Sequence, residues 1–204
     1  MNAFYGFISV AVGYLLGSLS FSILLSRMIG TDIRKQGSGN AGATNMTRVF
    51  GWSAGIATLA FDFMKAVLAI MIGRALLGDI GACLSGIAVM TGHCFPVFYH
   101  FKGGKGIATG AGVGLMIDWR VLLVIGTVVL IAALLSKKVS LGSLCAAVAI
   151  IPATFIFAAS VPMIILAVFS ALLAVYRHTE NIRRLISGTE PDFRAGKMQK
   201  KDNR

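Results

Sequence analysis

The stretch Lys35–Arg48, KQGSGNAGATNMTR, sets glycine, serine, asparagine and threonine in a row and closes each end with a cation. Small and polar residues such as Gly37, Ser38, Gly39, Asn40, Thr44 and Asn45 let backbone N–H groups turn toward one point, while Arg34, Lys35 and Arg48 add charge. That is the make-up of an anion-binding nest that holds phosphate, and equally of an ordinary interhelical loop. In a second stretch, GHCFPVFYHFKGGKGIAT at 92–109, Gly103 and Gly104 allow close backbone approach and Lys105 presents an ammonium. Gly106 then opens a helix whose positive dipole end favours an anion. The Gly-Lys pair is not followed directly by Ser or Thr, so this is no nucleotide loop and ATP is not expected. In a third, YRHTENIRRLISGTEP at 176–191, His178 and Asn181 fall at helical spacing and point together. The pair can orient or deprotonate a hydroxyl, and a protonated His178 can equally bind phosphate. Arg183 and Arg184 suit a solvated or headgroup-facing surface as well as a site.

The elements that must position these residues are apolar. Hydrophobic residues make up 56% of the 204, charged residues 13%, and mean hydropathy is +0.81, which excludes an ordinary soluble domain. The pattern predicts an all-α polytopic membrane protein with seven transmembrane helices, at 3–26, 52–77, 80–98, 106–117, 121–136, 141–160 and 161–176. Gly6, Gly13 and Gly17 suit close packing of the first. The Gly-rich fourth, GIATGAGVGLMI, is only about 18 Å long as a helix. It is expected to start deep, with its N-terminal N–H groups facing a polar cavity, and to leave room near glycines 110, 112 and 114 for a lipid chain to pass between helices. In the second span Asp62 and Lys65 share a helical face and can pair, either as a structural lock or as part of a polar cavity.

Residues 1–191 are read as a single domain and 192–204 as a basic, disordered tail. Assigning cations to alternate loops puts four in 27–51, two in 99–105, two at 137–138 and eight in 177–204 on one side, against Arg74 and Arg120 on the other. By the positive-inside rule the N-terminus is outside, the C-terminus cytoplasmic, and all three polar stretches share the cytoplasmic face. The net charge of +11 therefore fits anionic lipid and orientation, and no nucleic acid partner is expected. Cys83, Cys94 and Cys145 form no CxxC and read as small core residues, with no metal site or cofactor. A cation-lined pocket in a helix bundle also suits a transporter of an organic phosphate, although the opposite face offers no second gate.

GSGNAGATNMTR, GHCFPVFYHFKGGKGIAT and RHTENIRRLISGTE together resemble the three signature blocks of the bacterial acyl-phosphate:glycerol-3-phosphate acyltransferases, the PlsY family, over essentially the whole chain. The resemblance implies a multi-pass enzyme of the bacterial inner membrane with its active site toward the cytoplasm. It would transfer a fatty acyl group from acyl phosphate to the 1-hydroxyl of glycerol 3-phosphate, giving lysophosphatidic acid and phosphate without a cofactor. The family's phosphate-site residues match Ser38, Arg48, Lys105, His178 and Asn181, with Ser143 as a further serine, and the flanking Gly, Asn and Thr residues match too. No histidine is followed by Asp five residues on, so the HxxxxD motif of other glycerolipid acyltransferases is missing. Oligomerisation is not implied.

Overall fold

A computed structural model describes residues 1–158 and 160–193. Among these residues the chain is helical, with no strand. The helices are α1 (Asn2–Ser18), α2 (Phe21–Met28), α3 (Ala43–Phe50), α4 (Trp52–Cys94), α5 (Ile107–Ile117), α6 (Trp119–Ser136), α7 (Val139–Phe157), α8 (Val161–Arg177) and α9 (Thr179–Ile186). Asn2–Met28, Trp52–Tyr99, Trp119–Ser136 and Val139–Phe157 are long and apolar enough to cross a bilayer, and α8 with α9 would add a fifth across a 60° bend.

Where the chain departs from long straight helices, local causes are visible. The expected first span is interrupted at Leu19 and Ser20, both extended, where the carbonyls of Gly17 and Leu19 are taken by the Lys65 ammonium at 3.0 and 2.7 Å. α4 is broken at Leu77 and Gly78, and the positive φ of 57° at Gly78 suits a residue without a Cβ. Its two arms fold back closely enough that a Cβ on Gly73 would lie 2.3 Å from the Gly81 carbonyl oxygen. α5 has 11 residues, roughly 16–17 Å. It ends where the Asp118 carboxylate caps α6 by accepting the Arg120 N–H at 2.8 Å.

Small residues let the backbones approach, as expected where lipid offers no hydrophobic force between helices. A Cβ on Gly13 or Gly17 would sit 2.7 Å from the Ser85 carbonyl or 2.3 Å from that of Val89, whereas Gly6 has only ordinary contacts with leucine side chains. Ile70, Val113, Val121 and Leu166 form the centre of an apolar core joining α4, α5, α6 and α8. Large apolar side chains such as Phe7, Leu68, Leu135, Phe155 and Leu172 face outward, the surface of a protein solvated by lipid. Cys83 and Cys94 are buried as expected, but Cys145 is exposed on α7 and lies outside the core.

The third block ends with the chain laid across the bundle. Asp192 pairs with Lys138 at 3.0 Å, the Phe193 N–H donates to the Lys137 carbonyl at 2.9 Å, and the Phe193 ring meets Trp52 edge-on at 5.8 Å. Residues 192 and 193, the first two of the expected tail, make these contacts; 194–204 lie outside the described residues.

Gly17→Ala forces the backbones of α1 and α4 apart and is expected to lower the melting temperature in detergent, an overpacking cost of about 1–3 kcal/mol. Gly126→Ala, where an added Cβ meets nothing within 4 Å, is expected not to lower it; equal melting points for the two variants would contradict the packing assignment.

Candidate active site

Three helix starts point at one cavity of about 330 Å³. At the first, Gly42, Ala43 and Thr44 open α3; at the second, Gly106, Ile107 and Ala108 open α5. Among the described residues the amides of Ala43, Thr44, Ile107 and Ala108 have no acceptor, so each turn presents bare N–H groups and a positive dipole end to the same space. The third comes from the bend between α8 and α9, which puts His178 and Asn181 into the wall.

Arg48 and Lys105 add full charges. Arg48, on the last turn of α3, lines the cavity and makes no hydrogen bond or ion pair among the described residues. The Lys105 ammonium donates to the Asn181 carbonyl oxygen, a neutral partner. Asn181 in turn donates to Glu190 at 2.8 Å, and Arg184 to the other oxygen of Glu190 at 2.7 Å. Arg184 is thus neutralised by Glu190, and Asp62 by Lys65 at 2.8 Å. Two uncompensated cations, Arg48 and Lys105, remain facing the cavity, which fits phosphate oxygens better than any neutral ligand. Lys105 sits in the loop before α5, outside the spanning helices. Burial, with a smaller push from the Arg184 charge, lowers its pKa to about 8.

His178 is 3% exposed and its Nδ1 lies 2.7 Å from the Ala174 carbonyl. A carbonyl only accepts, so Nδ1 carries hydrogen and Nε2 is the nitrogen left for chemistry. Ser143 faces the same cavity with its hydroxyl hydrogen committed to the Val139 carbonyl at 2.9 Å. Ser38 and Asn40 complete the rim on the side of the first loop.

Several expected ligands act one step back. Asn45 faces the cavity, yet its amide is spent inside the loop: it donates to the carbonyls of Ile33, Gln36 and Asn40 and accepts the Ser38 N–H at 2.9 Å. Gly37, Gly39, Gly103 and Gly104 are not among the lining residues. Gly39 N–H bonds to Gln36, Gly103 to Cys94 and Gly104 to His93, so these amides brace the loops and offer no donor to a phosphate. The nest expected from their sequence is thus replaced by the starts of α3 and α5. Arg34 is also withdrawn, paired with Asp32 at 2.6 Å and bonded to the Tyr99 carbonyl.

Other residues at the site are not among the expected ligands. Arg177 donates to the carbonyls of Gly104 and Gly103 at 3.1 and 3.3 Å with its guanidinium over Phe95, so it grips the Lys105 loop. Glu190 orients Asn181, and His93 joins Asp62 in the cavity wall. Their signal was weak: a lone arginine, glutamate or histidine at the edge of a motif reads equally as topogenic or solvated.

An apolar crevice adjoins the cavity between α5, α6, α7 and α8, sharing Gly106, Ile107, Ala111, Gly126, Val129 and Ser143 with it. Gly110 and Gly126 open onto it. Gly112 and Gly114 do not serve as expected, because a Cβ on them would lie 2.6 Å from the Phe63 carbonyl and 2.7 Å from the Ile125 side chain. They are packing positions.

A family profile described as glycerol-3-phosphate acyltransferase matches residues 7–188. The glycerol-3-phosphate acyltransferase of Thermoanaerobacter pseudethanolicus is 41% identical over 190 residues, 91% of this chain and 94% of that one. That of Syntrophotalea carbinolica is 39% identical over 200 residues, 96% and 100% of the two chains. Among solved structures, PlsY, an integral membrane glycerol 3-phosphate acyltransferase, superposes in its glycerol 3-phosphate form with a TM-score of 0.89 at 36% identity, covering 93% of this chain and 96% of that one. Its lysophosphatidic acid form gives 0.87. With matches of this extent in both sequence and structure, the chain belongs to the glycerol-3-phosphate acyltransferase family.

Proposed function

We propose that this protein acylates the 1-hydroxyl of glycerol 3-phosphate to lysophosphatidic acid, with acyl phosphate as donor and inorganic phosphate as co-product, the first acylation of phospholipid biosynthesis. The observation that carries this reading is the joining of a cavity with two uncompensated cations to an apolar crevice that takes an acyl chain. The resemblance of relatives that act on glycerol 3-phosphate supports the acceptor.

The chemistry asks little of the protein beyond positioning. The 1-hydroxyl oxygen attacks the acyl carbon, the bond from that carbon to the phosphate oxygen breaks, and phosphate leaves with its electron pair. The hydroxyl proton passes to Nε2 of His178 or to a phosphate oxygen of the substrates. Arg48, Lys105 and the open amides of α3 and α5 hold two phosphates close together and offset their repulsion. Alignment of this kind is worth roughly 7–11 kcal/mol at best. Ser38, Asn40 and Thr44, which line the cavity, receive phosphate or glycerol oxygens, and Ser143 lines both the polar cavity and the crevice.

In the membrane, the two arms of α4 count as separate crossings and α5 as a short one. This makes seven spans with the N-terminus outside and the C-terminus cytoplasmic. The cation-rich loops then share the cavity's side, the cytoplasmic face of a bacterial inner membrane.

The purified protein given glycerol 3-phosphate with acyl phosphate, acyl-CoA or acyl-carrier protein is expected to form lysophosphatidic acid from acyl phosphate alone. Product from acyl-CoA alone would overturn the donor assignment, and none from any donor would overturn the enzyme. Lys105→Ala and Arg48→Ala are each expected to lower kcat/KM by about 10²–10³ while the protein still inserts. Lys105 loses its proton as pH rises through about 8, so kcat/KM for glycerol 3-phosphate should fall on the alkaline side of that value. Saturating phosphate ligands stabilise the ammonium and should carry the fall in kcat to higher pH. Gly126→Phe projects into the crevice, and each methylene displaced costs about 0.8 kcal/mol of binding. Turnover of palmitoyl phosphate is therefore expected to drop while that of octanoyl phosphate is kept.

A further inference from the structure

Asp62, Lys65 and His93 are a charged cluster in the apolar interior, 2%, 5% and 5% exposed. The Lys65 ammonium lies 2.8 Å from the Asp62 carboxylate, 3.0 Å from Nδ1 of His93, and 3.0 and 2.7 Å from the carbonyl oxygens of Gly17 and Leu19. Its three hydrogens are committed: two go to the carbonyls exposed by the break after α1 and the third to Nδ1 of His93, while Asp62 is held beside the ammonium by charge, its Oδ1 accepting no hydrogen bond. With Nδ1 accepting, the proton of His93 sits on Nε2, the edge packed against Gly104, where an added Cβ would lie 2.2 Å away.

We infer that this cluster is the positioning device that holds the Ser38 loop and the Lys105 loop in register over one phosphate site. One end fixes where α1 stops, and so where α2 and the loop bearing Ser38 begin. The other end fixes Gly103 and Gly104, whose N–H groups bond to the carbonyls of Cys94 and His93 directly before Lys105. The two loops meet there, with a Cβ on Gly104 reaching 3.0 Å from the Ala41 carbonyl. Cross-links reinforce the joint: the Tyr14 hydroxyl donates to the Phe95 carbonyl at 2.9 Å, and the Val97 N–H to Ser18 at 3.3 Å.

A plain scaffold would not need this arrangement. A continuous α1 would satisfy the Gly17 carbonyl internally, and apolar side chains in place of a buried ion pair are often as stable or more so. Asp62 and His93 line the cavity itself, so the charged joint forms part of its wall. None of the three is required to touch the reacting atoms.

The inference rests on the acyltransfer reading, so its test is made relative to an active wild-type protein; a wild type without transferase activity fails that reading, and a variant indistinguishable from an active wild type fails this one. Asp62→Asn with Lys65→Met removes both charges at similar volume and leaves no lone buried ion. The double variant leaves the Gly17 and Leu19 carbonyls without their donor and is expected to melt lower than the wild type, yet well below that melting point, where it is folded, kcat/KM for glycerol 3-phosphate is expected to fall tenfold or more, since misplacement by about 1 Å can cost 10²-fold. Wild-type kcat/KM in that variant would overturn the proposal. His93→Gln keeps the Asp62–Lys65 pair and serves if the double variant fails to insert. It is expected to lower kcat/KM about tenfold and to make Lys105→Ala cost markedly less than in the wild type, because the ammonium is already out of place. Independent effects of His93→Gln and Lys105→Ala, or no effect of His93→Gln, would overturn it.

Discussion

Positive charge between apolar helices is costly unless an anion is present, and this structure is arranged around a cavity that leaves two such charges unpaired. Arg48 has no partner among the described residues and Lys105 has only a neutral amide. The carboxylates that face the same space are each occupied, Glu190 by Arg184 and Asp62 by Lys65. The interruptions in the bundle serve the same end. Each place where a helix stops and restarts, before α3, before α5 and at the bend before α9, aims bare amides or polar side chains at that space. A bundle of unbroken helices would bury its amides internally and have nothing to hold a phosphate with.

The state of the hydroxyls and of the histidine argues for positioning over covalent catalysis. The Ser143 hydrogen is spent on its own helix, and no described histidine bonds to it. Nothing therefore primes it as a nucleophile. His178 has its Nδ1 hydrogen on a backbone carbonyl with no carboxylate behind it, so it lacks the third member that would strengthen it as a base. The acyl phosphate donor proposed above, which already carries phosphate as its leaving group, would need neither. On that proposal the requirement is compensation of charge where two anions approach, and Arg48 and Lys105 are the cations that line the cavity without an anionic partner.

The apolar runs made the bundle legible, and the glycines of α1 told of close packing because only small residues admit a neighbouring backbone. The interruption at Leu19 was hidden, since the residues around it are as apolar as the rest of the span and the cause, Lys65, lies 46 residues away. The three blocks read as parts of one site, and Ser38, Arg48, Lys105, His178, Asn181 and Ser143 do line one cavity. Less legible was which atoms face it. Glycine-rich segments were read as offering amides, but at Gly39, Gly103 and Gly104 the amides are consumed in making the loop rigid. Residue type records that a backbone turns tightly; it does not record which carbonyl receives the hydrogen. Arg34 shows the same limit, because Asp32 two residues away captures it.

The adjoining crevice bears on how substrates and products part. Glycerol 3-phosphate and inorganic phosphate are wholly polar and can use only the charged cavity, whereas an acyl donor and lysophosphatidic acid each combine a phosphate with a chain. On the proposed reaction the product keeps the acceptor's phosphate and the donor's chain, and would span both the charged cavity and the crevice. Under the proposed function the chain would leave between helices, and α6, which contributes Leu122, Ile125, Gly126 and Val129 to the crevice and is otherwise largely exposed, would form one wall of that path.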